Sequence, residues 1–327
     1  MDLSLSRAVE GFMLYLQGVG RSPHTLRDYN TTLSRFVQWR GPTTPMSEIT
    51  TQDVVAFLAY WRGAEVTPRG GVRRPARMLS NKTLKNMHTA LSSFWTWATD
   101  QGYAPEHIII GKVAPPRVSP PVIEPLTRPD IDAILAACDT SRPGKTRLGR
   151  TMVYSRPTAR RDRAIVLLLL DTGLRASELC SLLVDDVDLS HKSAQVRRGK
   201  GDKPRLVAFS DFTGSAIFRY WAERSDNTLE ADDRAFVTST GRRMTASNLL
   251  TLIRRLGERA GVVHCHPHRF RHTFAITWLR NNGDIFTLQE MLGHNSLDMV
   301  RRYLKIAGSD IMHAHRRASP VANWYSK

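Results

Sequence analysis

His264 to Tyr303 reads HCHPHRFRHTFAITWLRNNGDIFTLQEMLGHNSLDMVRRY. Within it His268 and Arg271 stand three residues apart, His294 closes a Leu-Gly-His turn, and Tyr303 follows nine residues later. Residues three apart share one face of a helix, so an imidazole and a guanidinium point at one ligand group. Arg offers a rigid fork to anionic oxygens, His moves a proton near neutral pH, and a tyrosine hydroxyl can serve as a covalent nucleophile. That set suits a phosphate. Singly each signal is weak, because a His-x-x-Arg pair is ordinarily a surface pair and a lone Tyr ordinarily packing. The weight comes from what converges on it.

Two upstream segments converge. Asp171 to Leu183 reads DTGLRASELCSLL, a glycine turn after an apolar run, with Arg175 at the start of a helix and Glu178 three residues on. Val196 to Phe209 reads VRRGKGDKPRLVAF, two β-prone runs around Gly199-Lys200-Gly201-Asp202, which predicts a hairpin with Lys200 at its tip. In this order and spacing TGLRASEL, the Gly-Lys-Gly hairpin, HRFRHTFA, MLGH and Tyr303 resemble the tyrosine recombinase (phage integrase) family, with its Xer-type recombinases and transposon integrases nearest. The resemblance covers nearly the whole chain.

The resemblance implies a fold that is mainly α with a small β-sheet. It implies a two-domain C-shaped clamp, an N-terminal helical bundle plus a mixed α/β catalytic domain, that grips double-stranded DNA. The implied activity is site-specific recombination through a 3′-phosphotyrosyl intermediate and a Holliday junction. Carried over residue by residue, Tyr303 is the nucleophile and Arg175 and Arg271 clamp the non-bridging oxygens. His294 binds the phosphate, His268 assists proton transfer from the phenol, Lys200 protonates the departing 5′-oxygen, and Glu178 supports the pocket. At a pKa of about 10 only about one phenol in a thousand is ionised at neutral pH, so attack on a phosphodiester needs that help. The phosphotyrosyl link stores the bond energy for rejoining, so no metal or nucleotide cofactor is called for.

Zinc is the chemical rival, since His268 and His272 have the spacing of zinc helices. Yet His264, Cys265 and His266 precede Pro267, and no nearby carboxylate supplies a third ligand. His272 is expected to pack or hydrogen-bond within its helix. Gly199-Lys200-Gly201 lacks the spacing of a phosphate-binding loop, and no helix follows it. Two other readings share the features above: a DNA-binding protein that has lost catalysis, and a type IB topoisomerase-like enzyme.

A length of 327 residues suggests about two domains. Lys plus Arg number 47 against 30 Asp plus Glu, a net charge of +17, and both halves of the chain are basic. Such an excess favours a polyanion, and with no Lys-rich amphipathic anchor evident, nucleic acid is the expected partner rather than a membrane. Three cysteines, Cys138, Cys180 and Cys265, form too sparse a set for a disulfide framework and point to a reducing, cytoplasmic setting.

Residues 1–111 read as a helical, core-binding type of domain. Leu5, Ala8, Val9, Phe12 and Leu16 follow the helical period. Ser22-Pro23, Thr50 with Asp53, and Ser80 open three further helices. Between the last two lies the arginine-rich RGAEVTPRGGVRRPARM. It is either a solvated loop or an arm that tracks phosphates. Candidate phosphate contacts are Arg69, Arg73, Arg74, Arg77, Lys82, Lys85, Arg269, Arg301 and Arg302. Residues 112–125 form a Pro-rich linker, and 126–327 the catalytic domain, opened by a Thr127/Asp130 capping box. Ser141 to Arg161 reads as a polar loop without an assigned role, and Ala164 to Leu170 as a buried helix. After Tyr303 come the apolar Val321, Ala322, Trp324 and Tyr325, costly unless they dock, either on the protein itself or elsewhere. The resemblance implies a tail that docks on a neighbouring protomer and couples a homotetramer across two sites.

Overall fold

The computed structural model of the chain describes residues 3–63, 65–66, 77–119, 124–140, 144–145, 151–152, 154–197, 204–224, 233–293, 303–304, 315 and 319–325. It divides into two compact units, residues 1–121 and 122–327.

In the first unit four helices, α1 (Leu5–Gly18), α2 (Pro23–Arg40), α3 (Thr51–Gly63) and α4 (Asn81–Asp100), each turn an apolar stripe inward. Phe12, Leu33, Phe36, Phe57, Leu91, Phe94 and Trp95 are fully buried between them. Each such side chain contributes about 1.5–3 kcal/mol. The helix starts are local decisions. Ser22 and Ser80 accept the backbone N–H of Thr25 and Thr83, and Thr50 donates its backbone N–H to Asp53 at 2.8 Å. The loop expected between α3 and α4 carries two short strands, β1 (Glu65–Val66) pairing antiparallel with β2 (Arg77–Met78). His88 Nε2 meets the Val113 carbonyl at 2.9 Å and ties the departing chain to α4.

In the second unit, Thr127 and Asp130 form a reciprocal capping box on α5 (Arg128–Asp139). Helix α6 (Ala159–Thr172) runs through the core, and α7 (Ala176–Ser181), α8 (Asp211–Ala222), α9 (Ala246–Ala260), α10 (Pro267–Arg280) and α11 (Ile285–Leu292) follow it in the chain. The expected hairpin is β6 (Ser193–Val196) against β7 (Arg205–Ala208), with Ala194 opposite Val207; its tip lies outside the described residues. A third strand that the alternation did not announce, β5 (Val187–Asp188), adds to its edge. At two residues it is too short to leave a period in the sequence.

The loop expected over residues 141–161 also needs correction. It carries a short hairpin, β3 (Gly144–Lys145) with β4 (Thr151–Met152), and α6 begins at Ala159, before the apolar run. Arg161 and Asp162 are therefore helical and buried, which charges tolerate only when paired. Arg161 and Arg156 both reach the Asp162 carboxylate, at 2.7 and 2.6 Å. Among the described residues no helix is long and apolar enough to cross a membrane. The chain end Pro320–Tyr325 is a short helix whose Val321 and Trp324 are 66% and 76% exposed.

Candidate active site

The site is built where α6 ends. Gly173 takes the left-handed conformation (φ 62°) that closes α6, and a Cβ there would stand 2.6 Å from Phe274 and 2.9 Å from Leu292. Only glycine meets both demands. The chain then turns into α7, where the Arg175 backbone N–H donates to Glu178 Oε2 at 2.8 Å and Arg175 Nη1 to Oε1 at 2.7 Å.

Helix α10 brings the second arginine. Pro267 sits in its first turn and His266 caps it, with Nδ1 accepting the Arg269 backbone N–H. One turn in, Arg271 is 1% exposed and donates to the carbonyls of Gly173 at 2.8 Å and Leu292 at 2.6 Å. Arg175 Nη2 reaches the next carbonyl, that of Gly293, at 3.3 Å. Both guanidinium groups thus converge on the Leu292–Gly293 turn that immediately precedes His294. Burial, then the neighbouring Arg175 charge, lower the Arg271 guanidinium to about 10, which leaves it cationic at neutral pH. Burial works to raise the Glu178 carboxyl, but hydrogen bonds from Arg205 and the Arg175 backbone hold it at about 2.

His268 is exposed, and its ring lies 4.3 Å from that of His272. Although its surface is open, the protein packed around the ring partly desolvates it, and this, followed by the Arg271 charge, lowers its pKa. Tyr303 is fully buried against Phe274, Ala275, Leu288 and Leu292. His272 does not confine its bonding to its own helix, as expected; its Nδ1 lies 2.8 Å from the Tyr303 hydroxyl. Burial, then His268, His266 and Arg271, put its imidazole at about 4. Among the described residues no three His, Cys, Asp or Glu side chains gather as a metal site.

Arg175, Glu178, His268, Arg271 and Tyr303 therefore sit in one unit around the end of α6. Lys200, His294, Arg301, Arg302, Arg69, Arg73 and Arg74 lie outside the described residues, as does the side chain of Arg77. Lys82 and Lys85 are exposed on one face of α4. Arg269 is committed within the protein, donating to the carbonyls of Glu124 and Val263 at 2.9 and 2.6 Å. From sequence, Arg205 carried no role, and for His272 the partner Tyr303 was not announced. Arg205 is two residues from the buried Val207 on one strand face, so the alternation itself directed a charge inward, where it needs hydrogen-bond acceptors.

Comparison with known proteins shows the family. Residues 124–309 match the phage integrase family, and residues 9–102 match its N-terminal SAM-like domain. The chain belongs to the phage integrase family, and it is an enzyme of the tyrosine recombinase class. It is 31% identical over 318 residues to the tyrosine recombinase XerA of Thermococcus kodakarensis, covering 97% of this chain and 96% of that one. It is 32% identical over 317 residues to the tyrosine recombinase XerC of Corynebacterium efficiens, covering 96% and 92% respectively. In fold it is similar to the Tn1549 transposon integrase in complex with transposon right-end DNA, with a TM-score of 0.71 at 18% identity, covering 96% of this chain and 99% of that one.

Proposed function

We propose that this protein cleaves and rejoins double-stranded DNA at a specific site, with Tyr303 as the nucleophile. The observation that carries the reading is the convergence of Arg175 and Arg271 on the carbonyls of Gly293 and Leu292, at 3.3 and 2.6 Å, beside His294 in the chain. Two fixed cations at one turn suit the non-bridging oxygens of a phosphodiester and stabilise charge that builds up in the transition state. The Tyr303 oxygen attacks phosphorus, the bond to the 5′-oxygen breaks, and Lys200 gives that oxygen its proton. The phenol proton leaves with assistance from His268. The 3′-phosphotyrosyl product keeps the energy of the broken ester, and attack by a second strand's 5′-hydroxyl reverses the step and leads to a Holliday junction. Nothing in this sequence of steps consumes a nucleotide.

Lys82 and Lys85 contribute phosphate contacts, whereas the duties of Arg269 inside the protein leave it the weakest of the candidates. Assembly is a homotetramer on two sites, coupled by the chain end. Its support is the exposed Val321 and Trp324 on one side, and on the other an apolar groove of about 910 Å³ in the catalytic unit, lined by Leu170, Leu206, Phe212, Phe274, Trp278 and Met291. Three buried, free cysteines suit a reducing cytoplasm. The deciding experiment traps the protein covalently on a nicked suicide duplex and sequences the bound DNA. A covalent band that requires Tyr303 and a single recovered sequence are expected; random sequences would point instead to topoisomerase action.

A further inference from the structure

Arg205 opens β7, five residues beyond Lys200, within the quoted hairpin segment but with no role assigned to it there. Its side chain is 7% exposed, and each arm of the guanidinium is engaged. Nη1 donates to Glu178 Oε1 at 3.0 Å, Nη2 to Glu178 Oε2 at 2.8 Å, and Nε to the Met291 carbonyl at 2.7 Å. The same carboxylate orients Arg175 through its side chain and its backbone N–H. A Cβ on Gly293 would stand 3.2–3.3 Å from the Arg205 guanidinium, so the turn before His294 lies directly on it. One buried side chain therefore joins the strand leading from the Lys200 hairpin, the carboxylate behind Arg175, and the turn that Arg271 also grips.

A burial role alone would be met as well by an apolar residue of similar volume. A planar fork with three directed bonds sets geometry, which a lysine's point charge cannot reproduce. We propose that Arg205 is a positioning residue for phosphoryl transfer, fixing Arg175 through Glu178 and holding the Met291–Gly293 turn against β7. The inference rests on the reading of Arg175 as a phosphate clamp.

Among the described residues the charged groups facing Glu178 are Arg175 from its own helix, Arg205 from β7 and Arg271 from α10. Without Arg205, burial pushes the carboxyl up, and protonation would release Arg175. The test uses the full chain and a nicked suicide duplex carrying the sequence recovered from covalent trapping on the parent protein. Arg205→Gln is expected to bind this duplex within about threefold of the parent yet form the covalent band about 100-fold more slowly, the cost of a misplaced catalytic group. Its pH–rate profile should gain an acid limb that the parent lacks, and adding Glu178→Gln should remove the limb. A 5′-bridging phosphorothiolate should not restore the rate, because leaving-group protonation is not what was lost.

Parental rate and pH profile in Arg205→Gln would overturn the inference. If thermal unfolding shows that this variant does not fold, Arg205→Lys carries the test: it keeps the charge, and it should fold, bind DNA normally and cleave at least about tenfold more slowly. A parental rate there overturns the inference equally. A parent protein that forms no covalent band overturns the recombinase reading and this one with it, whereas a parental band with an unaffected Arg205 variant removes this one alone.

Discussion

His272 Nδ1 lies 2.8 Å from the Tyr303 hydroxyl, and the tyrosine ring is wholly buried. The bond spans two segments that meet only in the folded chain, and it suits a neutral imidazole. With the His272 ring at about 4 when folded and 6.5 when free, the unfolded chain takes up more protons between those values. Folding stability is then fully present above about pH 6.5 and declines as pH falls towards 4. His266 and His268 are shifted the same way and add to the effect. The His272 share should be about 1–3 kcal/mol, the lower figure allowing for the part of the ring in water. Denaturant unfolding from pH 7 to 4.5 measures it, and His272→Asn should flatten the slope in part; an unaltered slope rules His272 out as its source.

The chemistry of Lys200 separates from that of Tyr303. An alkoxide leaving group, with a conjugate acid near the pKa of water at about 15.7, needs an acid, whereas a thiolate at about 8.5 does not. Lys200→Ala should cut ordinary DNA poorly but cleave a 5′-bridging phosphorothiolate at close to the parental rate. Tyr303→Phe should bind DNA and cleave neither. Covalent protein–DNA bands on the two substrates report this directly. If sulfur does not rescue a Lys200→Ala protein that binds normally, the acid is another group, and Lys203 or His268 is tested next.

Gly173→Ala should destabilise the catalytic unit by about 2–4 kcal/mol, since it adds left-handed strain to a collision with Phe274 and Leu292. The Gly173 carbonyl also holds Arg271, so cleavage should fall by more than the loss of folded protein explains. Chemical denaturation and a cleavage rate per folded molecule check the two halves separately. A variant as stable as the parent would show that the neighbouring side chains yield freely.

DNA binding should weaken steeply with salt, each phosphate contact adding about 0.9 to the slope of log affinity against log salt. Replacing both Lys82 and Lys85 by Ala should lower the slope by about 2 and weaken binding similarly on all sequences. Titrations between 50 and 200 mM salt, about the range over which such contacts are commonly resolved, measure it. A slope unchanged in the double variant places the two lysines away from the DNA.

Ending the chain after Ile306 should leave cleavage of a single site intact while abolishing the tetramer on two sites. Covalent-band assays and gel shifts of paired sites measure these separately. Tetramers that form undiminished without the tail would exclude the exposed Val321 and Trp324 as the coupling element.

Much of the architecture is written in short-range terms. The caps at Ser22, Thr50, Ser80 and Thr127 bind residues three positions on, and the stripes of α1, α2 and α4 repeat at the helical period. These interactions need no distant partner, so the residues that make them announce them. The order of TGLRASEL, the Gly-Lys-Gly hairpin, HRFRHTFA, MLGH and Tyr303 was legible in the same way, because each motif stays within a few residues. The two-residue β5 and the early start of α6 were not, since one is too short to show a period and the other begins on charges that only Arg156 and Asp162 make tolerable in a core.

What tertiary structure alone decided are the contacts between segments far apart in the chain. Arg271 reaches the Gly173 carbonyl across 98 residues, Arg205 reaches Glu178 across 27, and His272 meets Tyr303 across 31. No local pattern selects such a partner. An arginine or histidine in sequence is equally able to face water, and its partner emerges only when burial of α6, α10 and β7 removes that water and leaves backbone carbonyls, the Glu178 carboxylate and the Tyr303 hydroxyl within hydrogen-bonding reach.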